Sequence, residues 1–309
     1  MTDITENAKA MVWSSFAADS LALGAHWIYD VGQIERLFGR VDQLKAPPST
    51  SFHAGKHRGD LTHYGDQMIV LLESIATQSG FDLDRFAHDW QQLFKTYDGY
   101  VDGATRTALA HFRAGSGPDL SGSDSSDLGG AARIAPLVFR YYRDTERLIG
   151  CVRTQTAMTH NHPHTMAAAV FFARVTAEVL TGTSPLKAVS SVSGSFTAGE
   201  APIDHWVAQG IESAGMETTR AIAAFGQMCD TRAAFPGVIH LIARYETDLK
   251  TALVENIMAG GDSAARGMTV AMILGAHLGP GAIPAEWQNG LRQQSQIEAL
   301  IDRIGATGE

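Results

Sequence analysis

The chain has 309 residues, of which 45% are hydrophobic and 18% charged, and it carries a net charge of −9. This composition suits a large buried core and argues against disorder. The acidic balance repels phosphate backbones, so general nucleic-acid binding is excluded, while a small anion in a local positive pocket is not. Two cysteines, Cys151 and Cys229, are too few for a disulfide framework and fit a reducing compartment. The first residues, Met1 to Asn7, include acids and no basic run, so no signal peptide is expected. Apolar stretches such as Met166 to Val175 are too short to span a bilayer. A cytoplasmic globular protein is the expectation.

In chain order, Pro47-Pro48-Ser49-Thr50-Ser51 breaks the chain before an irregular stretch containing His and Gly. Met68, Leu71, Leu72 and Ile75 then recur at spacings of three and four, which predicts a buried helix face. Similar stripes run from Phe86 to Phe94 and from Ala104 to Phe112. Gly115 to Gly130, rich in Gly, Ser and Asp, reads as a long functional loop or mobile lid. Helical stripes resume over Ala167 to Leu180, Ile222 to Met228, Val238 to Tyr245 and Met268 to Leu278. Pro163 and Pro284 stand where helices should begin. Alternating strands and internal repeats are not evident, and neither loop is a convincing boundary. The expectation is one all-α, orthogonal multi-helix domain over residues 1–309.

Five segments in order resemble the ADP-ribosylglycohydrolase family. Ala18-Asp19-Ser20-Leu21-Ala22 resembles its Gly-Asp-Ala-Leu-Gly opening helix. Gln67-Met68 with the apolar helix behind it is similar to the stretch after its Thr-Asp-Asp-Thr. Gly129 to Leu137 resembles its Asn-Gly-Ala-x-Met-Arg-x-Ala-Pro segment. Thr159-His160-Asn161-His162-Pro163 resembles its Thr-His-x-x-Pro. Gly260-Gly261-Asp262 resembles the start of its Gly-Gly-Asp-Thr-Asp-Thr helix, followed by Gly275-Ala276 and Ile283-Pro284-x-x-Trp287. The resemblance spans residues 18 to 287. It implies an all-α domain whose cleft holds two Mg²⁺ or Mn²⁺ ions and cleaves ADP-ribose from side chains or small adducts.

The sequence departs from that family where the ions would bind. The Thr-Asp-Asp positions fall on His63, Tyr64 and Gly65, with Asp66 one place further on. In the later set Asp262 survives, Ser263 stands for Thr, and Ala264 and Ala265 replace the second Asp and the final hydroxyl. His26 stands where a glutamate is expected, and Leu128 where an asparagine is. Two adjacent dications need several carboxylates, and here only Asp66 and Asp262 remain, with Asp60 a further candidate. No tightly bound ion pair is therefore expected. His26-Trp27-Ile28-Tyr29-Asp30 and Tyr64-Gly65-Asp66-Gln67 are similar to the branch that includes the J-type crystallins and selenoprotein J.

The candidate working groups are Asp66, Asp262, His26 and His63. A carboxylate activates water while an imidazole, titrating near neutrality, protonates the leaving group. His26 and His63 with Asp66 also suit a softer metal such as Zn²⁺, the less favoured reading. Asp19, Trp27, Tyr29, Tyr64, Gln67, Asp127, His160, Ser263 and Arg266 are candidates for substrate contact. Trp27, Tyr29 and Tyr64 suit a wall against a planar ring or, equally, aromatic core. Asp262 reads as a helix N-cap. Arg266, four residues on, reads either as its i,i+4 partner or as an anion receiver. Asp124 reads as a turn residue, His162 and His164 as loop residues without fixed ligand geometry, and Arg133 as structural. The expected partner is a small-molecule or ADP-ribosylated substrate, and the expected state a monomer or small homo-oligomer. The alternative is a non-catalytic binding or structural protein that uses the cleft for an anionic ligand.

Overall fold

The computed structural model describes residues 4–196 and 201–306. Seventeen α-helices run through them: α1 (Ile4–Ala22), α2 (Val31–Phe38), α3 (His63–Gln78), α4 (Leu83–Leu93), α5 (Gly103–Arg113), α6 (Gly129–Ala132), α7 (Ala135–Tyr141), α8 (Thr145–Ala157) and α9 (Pro163–Leu180) in the first part. The second part holds α10 (Pro185–Ser193), α11 (Ile203–Glu212), α12 (Thr218–Phe225), α13 (Thr231–Arg244), α14 (Leu249–Met258), α15 (Ser263–Leu278), α16 (Ala285–Asn289) and α17 (Gln294–Ala306). Extended pairing among the described residues is limited to isolated bridges, Ser123 with His160 and Asp127 with Asp230. The fold is all-α, as the periodicity predicts.

The two chain halves meet through α1 and α15, which share the most extensive helix–helix contact. Every residue of α15 from Ser263 to Ala276 is buried. Small side chains allow this closeness: a Cβ on Gly275 would stand 2.4 Å from the Ser14 hydroxyl. Ser15 Oγ donates to the Met268 carbonyl at 3.2 Å. Such a helix, apolar or small on every side except at Arg266, is a core element. Around this pair, α9, α13 and α14 pack on α15, and α3, α7 and α17 pack on α1.

The predicted stripes fall on α3, α4, α5, α9, α12, α13 and α15, with three adjustments. The stripe from Ile222 stops at Phe225, because Gly226 takes φ +103° and ends α12. The stripe from Val238 is only the second half of α13, which runs through Pro236. The Gly115 to Gly130 segment is pinned in its second half, contrary to the expected lid. Ser123 N donates to Thr159 O at 3.0 Å and Asn161 N to Ser123 O at 2.7 Å. Leu128 N donates to Cys229 O and Thr231 N to Ser126 O, both at 2.8 Å. No helix among the described residues is long and apolar enough to cross a membrane.

Candidate active site

Three chain segments meet at the first turn of α3. Thr62 caps that helix, its hydroxyl accepting from Tyr64 N at 3.1 Å. Thr62 in turn donates to Asp19 of α1 twice, from its backbone N–H at 2.7 Å and its hydroxyl at 2.5 Å. Gly65 is required by this closeness, since an added Cβ would lie 2.3 Å from Asp19 Oδ2. Burial pushes the Asp19 carboxyl up to about 7 against the pull of those two donors.

The second segment follows α1. Trp27 N donates to Gly261 O at 2.9 Å and Gly261 N to Ile28 O at 2.8 Å, so this turn is zipped to the entry of α15. Trp27 has φ +64°, a left-handed conformation rare for a bulky residue and concentrated at functional sites. Its ring stacks on His26 at 4.3 Å. Asp262, the cap of α15, accepts from Ala265 N and Tyr64 Oη, each at 3.2 Å, and lies 3.6 Å from His26 Nδ1. Burial raises this carboxyl to about 6, opposed by the Ala265 N–H, Arg266 and the Tyr64 hydroxyl.

The third segment is the irregular stretch after Pro48. His53 Nε2 is 3.2 Å from His63 Nδ1, and His63 Nε2 is 3.4 Å from Asp102 Oδ2. His26, His53 and His63 are all buried. Burial, reinforced by neighbouring positive groups, holds the imidazoles of His26 and His63 well below their ordinary value and that of His53 at about 4. These rings are uncharged at neutral pH and serve as bases or ligands more readily than as proton donors. Trp27, Phe52 and Tyr100 meet edge to face over them, with centroids 5.0 to 5.4 Å apart. A cavity of about 390 Å³ opens beside this aromatic group, lined by Phe52, His53, Lys56, Asp98, Tyr100 and Arg106 among others. A separate cavity of about 290 Å³, framed by Arg140, Arg143 and Arg147, shares no residue with the cluster.

Thus Asp19, His26, His63, Tyr64 and Asp262 come together, and His53 and Asp102 join them. Asp66 is on the same helix turn but engaged: Lys56 Nζ contacts Oδ2 at 2.5 Å and Tyr97 Oη donates to it at 2.6 Å. Asp60 accepts His57 N–H at 2.6 Å and stands 3.3 Å from Arg292. Gln67 is tied into the core, accepting from Trp90 Nε1 at 2.8 Å and from Arg133, and donating to His63 O at 2.9 Å. His160 packs against Gly130 and hydrogen-bonds Thr159 Oγ1 at 2.9 Å. Arg133 links Gln67 to Thr159 and is structural, as the sequence suggests. Asp127 is half-buried and near Asp262 and Cys229. Tyr29 is 49% exposed. Ser263 is buried, its hydroxyl without a partner.

Arg266 acts on Asp262 through its charge and is also built into the backbone, with Nη1 left unpartnered. It is fully buried and donates to Asn256 Oδ1 at 2.7 Å and to the carbonyls of Asn256 and Gly260 at 3.0 and 2.8 Å. Its guanidinium thus holds the turn that delivers Asp262, and its field helps keep that carboxyl ionised. His53, Lys56, Tyr97, Tyr100 and Asp102 escape motif reading altogether. The only sequence signal was a His in a Gly-rich stretch and an Asp before an amphipathic helix, both of which are common.

The structure is a helical bundle with buried carboxylates and imidazoles at the N-termini of two core helices, roofed by aromatics beside a cavity of small-molecule size. The chain belongs to the ADP-ribosylglycohydrolase family, whose model matches residues 1–309. Among curated proteins it is similar to crystallin J1A of Tripedalia cystophora, 24% identical over 317 residues that span 97% of this chain and 96% of that protein. Crystallin J1B of the same organism is 25% identical over 322 residues, covering 97% and 98%. An uncharacterized protein of Archaeoglobus fulgidus is 23% identical over 277 residues, covering 89% and 88%. A solved structure titled ADP-ribosylglycohydrolase-related protein complex superposes with a TM-score of 0.79 at 20% identity over all of both chains, which shows the fold.

The residues present do not fit the family's pair of hard ions. Ala264 and Ala265 are fully buried where two oxygen donors are expected, and Asp66 is already engaged by a lysine and a phenol. Mg²⁺ and Mn²⁺ need oxygen donors and countercharge that this arrangement lacks.

Proposed function

We propose that this protein is a hydrolase that cleaves an N- or O-glycosidic bond in an ADP-ribosyl or related compound. The observation that carries the reading is the aromatic-walled cavity beside the buried cluster. Phe52 and Tyr100 line the cavity and offer faces for a planar base, with Trp27 packed edge to face behind them; Arg106 brings positive charge to the same wall, and His53 lines it as well. A site of this size and lining suits one small ligand with an aromatic ring and an anionic group. Membership of a hydrolase family over the whole chain supports the same class.

Asp262 is the group assigned to water. The water oxygen bonds to the anomeric carbon while the glycosidic bond breaks, its electron pair leaving with the departing group. The proton that Asp262 takes from water returns to that group. Tyr64 and the Ala265 N–H orient the carboxylate, and removing such a base typically costs about 10²- to 10⁴-fold in rate. Incubation with ADP-ribosyl-arginine, ADP-ribosyl-serine and O-acetyl-ADP-ribose, with products separated chromatographically, tests the reading. Turnover that falls at least about a hundredfold in Asp262→Asn is the expected result. Absence of turnover with all three substrates sinks the hydrolase reading on this substrate class.

A second reading is favoured by one observation. Asp66 is ion-paired with Lys56 and hydrogen-bonded by Tyr97, as in a site retired from catalysis, and two relatives are named crystallins. In this reading the cavity binds an anionic or nucleotide-like ligand without cleaving it. ADP-ribose raising the melting temperature in the absence of any turnover would favour it. In either reading the partner is a small molecule or an ADP-ribosylated substrate, met in the cytoplasm by a monomer or small homo-oligomer.

A further inference from the structure

We propose that His26, His53 and His63 form a binding site for one transition-metal ion of the Zn²⁺ class, built from nitrogen donors in place of the carboxylates used by the family's pair of ions. The three rings come from three separate segments: the turn after α1, the loop after Pro48 and the first residue of α3. One nitrogen from each lies within 4.8 Å of the other two. His53 Nε2 and His63 Nδ1 are already 3.2 Å apart. Two nitrogens bound to one tetrahedral zinc at 2.0–2.1 Å are separated by about 3.3 Å, so this pair has ligand spacing before any ion enters. The third ring has roughly 1.5 Å to close, a movement within reach of a side-chain rotation.

Hydrogen bonding alone is the competing account, and it leaves too much unexplained. His53 and His63 can share one proton between Nε2 and Nδ1. Yet His26 Nε2, His53 Nδ1 and His63 Nε2 are buried without a hydrogen-bond partner. A buried nitrogen left unpaired is costly. The Ala264 N–H approaches His26 Nδ1 at 3.4 Å, which does nothing for Nε2 of the same ring. With His53 Nε2 and His63 Nδ1 on one cation, His63 Nε2 carries the ring proton towards Asp102, and the partnerless His26 Nε2 is left to supply the third lone pair.

The surroundings agree with this assignment. His63 Nε2 is 3.4 Å from Asp102 Oδ2, the outer-shell arrangement that orients a metal-binding imidazole, and Asp262 Oδ1 is a second carboxylate 3.6 Å from His26 Nδ1. Those two carboxylates offset the two charges of a divalent ion. The nearby cations are committed elsewhere: Lys56 to Asp66, Arg133 to Gln67 and Thr159, Arg266 to Asn256 and the Gly260 carbonyl. Neutral imidazole donors select zinc, cobalt or nickel over Mg²⁺.

The test uses the full-length chain without a histidine tag, mixed with excess Zn²⁺, passed through a desalting column and measured by elemental analysis. Retention of about one zinc per chain is expected, undisplaced by a large excess of Mg²⁺. Co²⁺ in its place should give the visible ligand-field absorption of a site with few ligands. His53→Gln should lose the retained metal with its far-UV circular dichroism intact. Asp102→Asn keeps a capping side chain on α5 and should weaken zinc affinity about 10- to 100-fold. Should His53→Gln fail to fold, Asp102→Asn and the cobalt spectrum decide. Wild-type protein that retains no zinc, or variants that bind as tightly as wild type, overturns the site. None of these readouts involves substrate turnover, so the metal site and the glycosidic reading fail separately.

Discussion

Two single residues show how burial and closeness set energies here. His240 of α13 is fully buried between Ser213 Oγ at 2.8 Å and Thr218 Oγ1 at 3.2 Å. Burial, together with the cations Arg244 and Arg266 that face it, lowers its pKa to about 4. The unfolded chain therefore takes up a proton near pH 6.5 that the folded chain takes up only near 4. Stability is fully present above about 6.5, falls as pH drops through that interval, and levels off below. The full loss from this one ring is about 3 kcal/mol. His240→Gln should shrink the difference between urea unfolding free energies at pH 7 and pH 4.5 by roughly 2 kcal/mol. An identical drop in wild type and variant refutes the assignment. At Gly65 two effects oppose each other. Alanine gains up to about 1 kcal/mol of helix propensity. Its Cβ would also stand 2.3 Å from Asp19 Oδ2 and 2.9 Å from Leu61 Cβ. Asp19 is pinned by Thr62 and Leu61 is fully buried, so neither can give way easily. Overpacking of this kind costs about 1–3 kcal/mol, so Gly65→Ala should lower the melting temperature. A rise would show that the first turn of α3 yields.

Among the elements, the segment joining α5 to α6 separates composition from behaviour. Its glycines and serines read as freedom to move. In the fold they permit contact: a Cβ on Gly122 would stand 2.0 Å from the Ala157 carbonyl, and Ser121 Oγ donates to Met158 O at 2.8 Å. Residues 121–128 should therefore exchange amide hydrogens about as slowly as α9, while residues 114–120, which include the 72% exposed Leu120, exchange fast. Uniformly rapid exchange across 114–128 restores the lid. Legibility in the sequence follows the same physics. Helices with one polar face, α4 and α5, are visible by their periodicity. α1 is reached only through the family-like segment Ala18 to Ala22, and the first half of α13 is missed because Pro236 reads as a stop. Family-like segments locate Asp19 and Asp262, the latter through local capping chemistry. His53 and Asp102 are invisible because their meeting with His63 depends on the course of two irregular loops.

At the scale of the molecule, the last helix holds the site helix in place. α17 packs on α3 and α1, and Ile297, Ile301 and Ile304, spaced four and three apart, are all buried. Lys9 Nζ meets Asp302 at 3.1 Å and Gln296 donates to Glu73 at 2.7 Å. Just before it, Arg292 N donates to the Gly59 carbonyl at 2.9 Å, which fixes the loop leading into Thr62 and His63. Three buried isoleucines contribute about 2 kcal/mol each, a large share of the roughly 5–15 kcal/mol that holds a domain folded. Exposed ion pairs such as Lys9 with Asp302 add little, so the apolar face decides the outcome. A chain truncated after Gln293 should melt roughly 10–20 °C lower than the full chain, given a few degrees per kcal/mol for a protein of this size. Because α17 touches the first-half helices from the far end of the sequence, the full chain should unfold in one calorimetric transition. A truncated chain that melts within a few degrees of the full one would mean that α1, α3 and α15 close the core unaided.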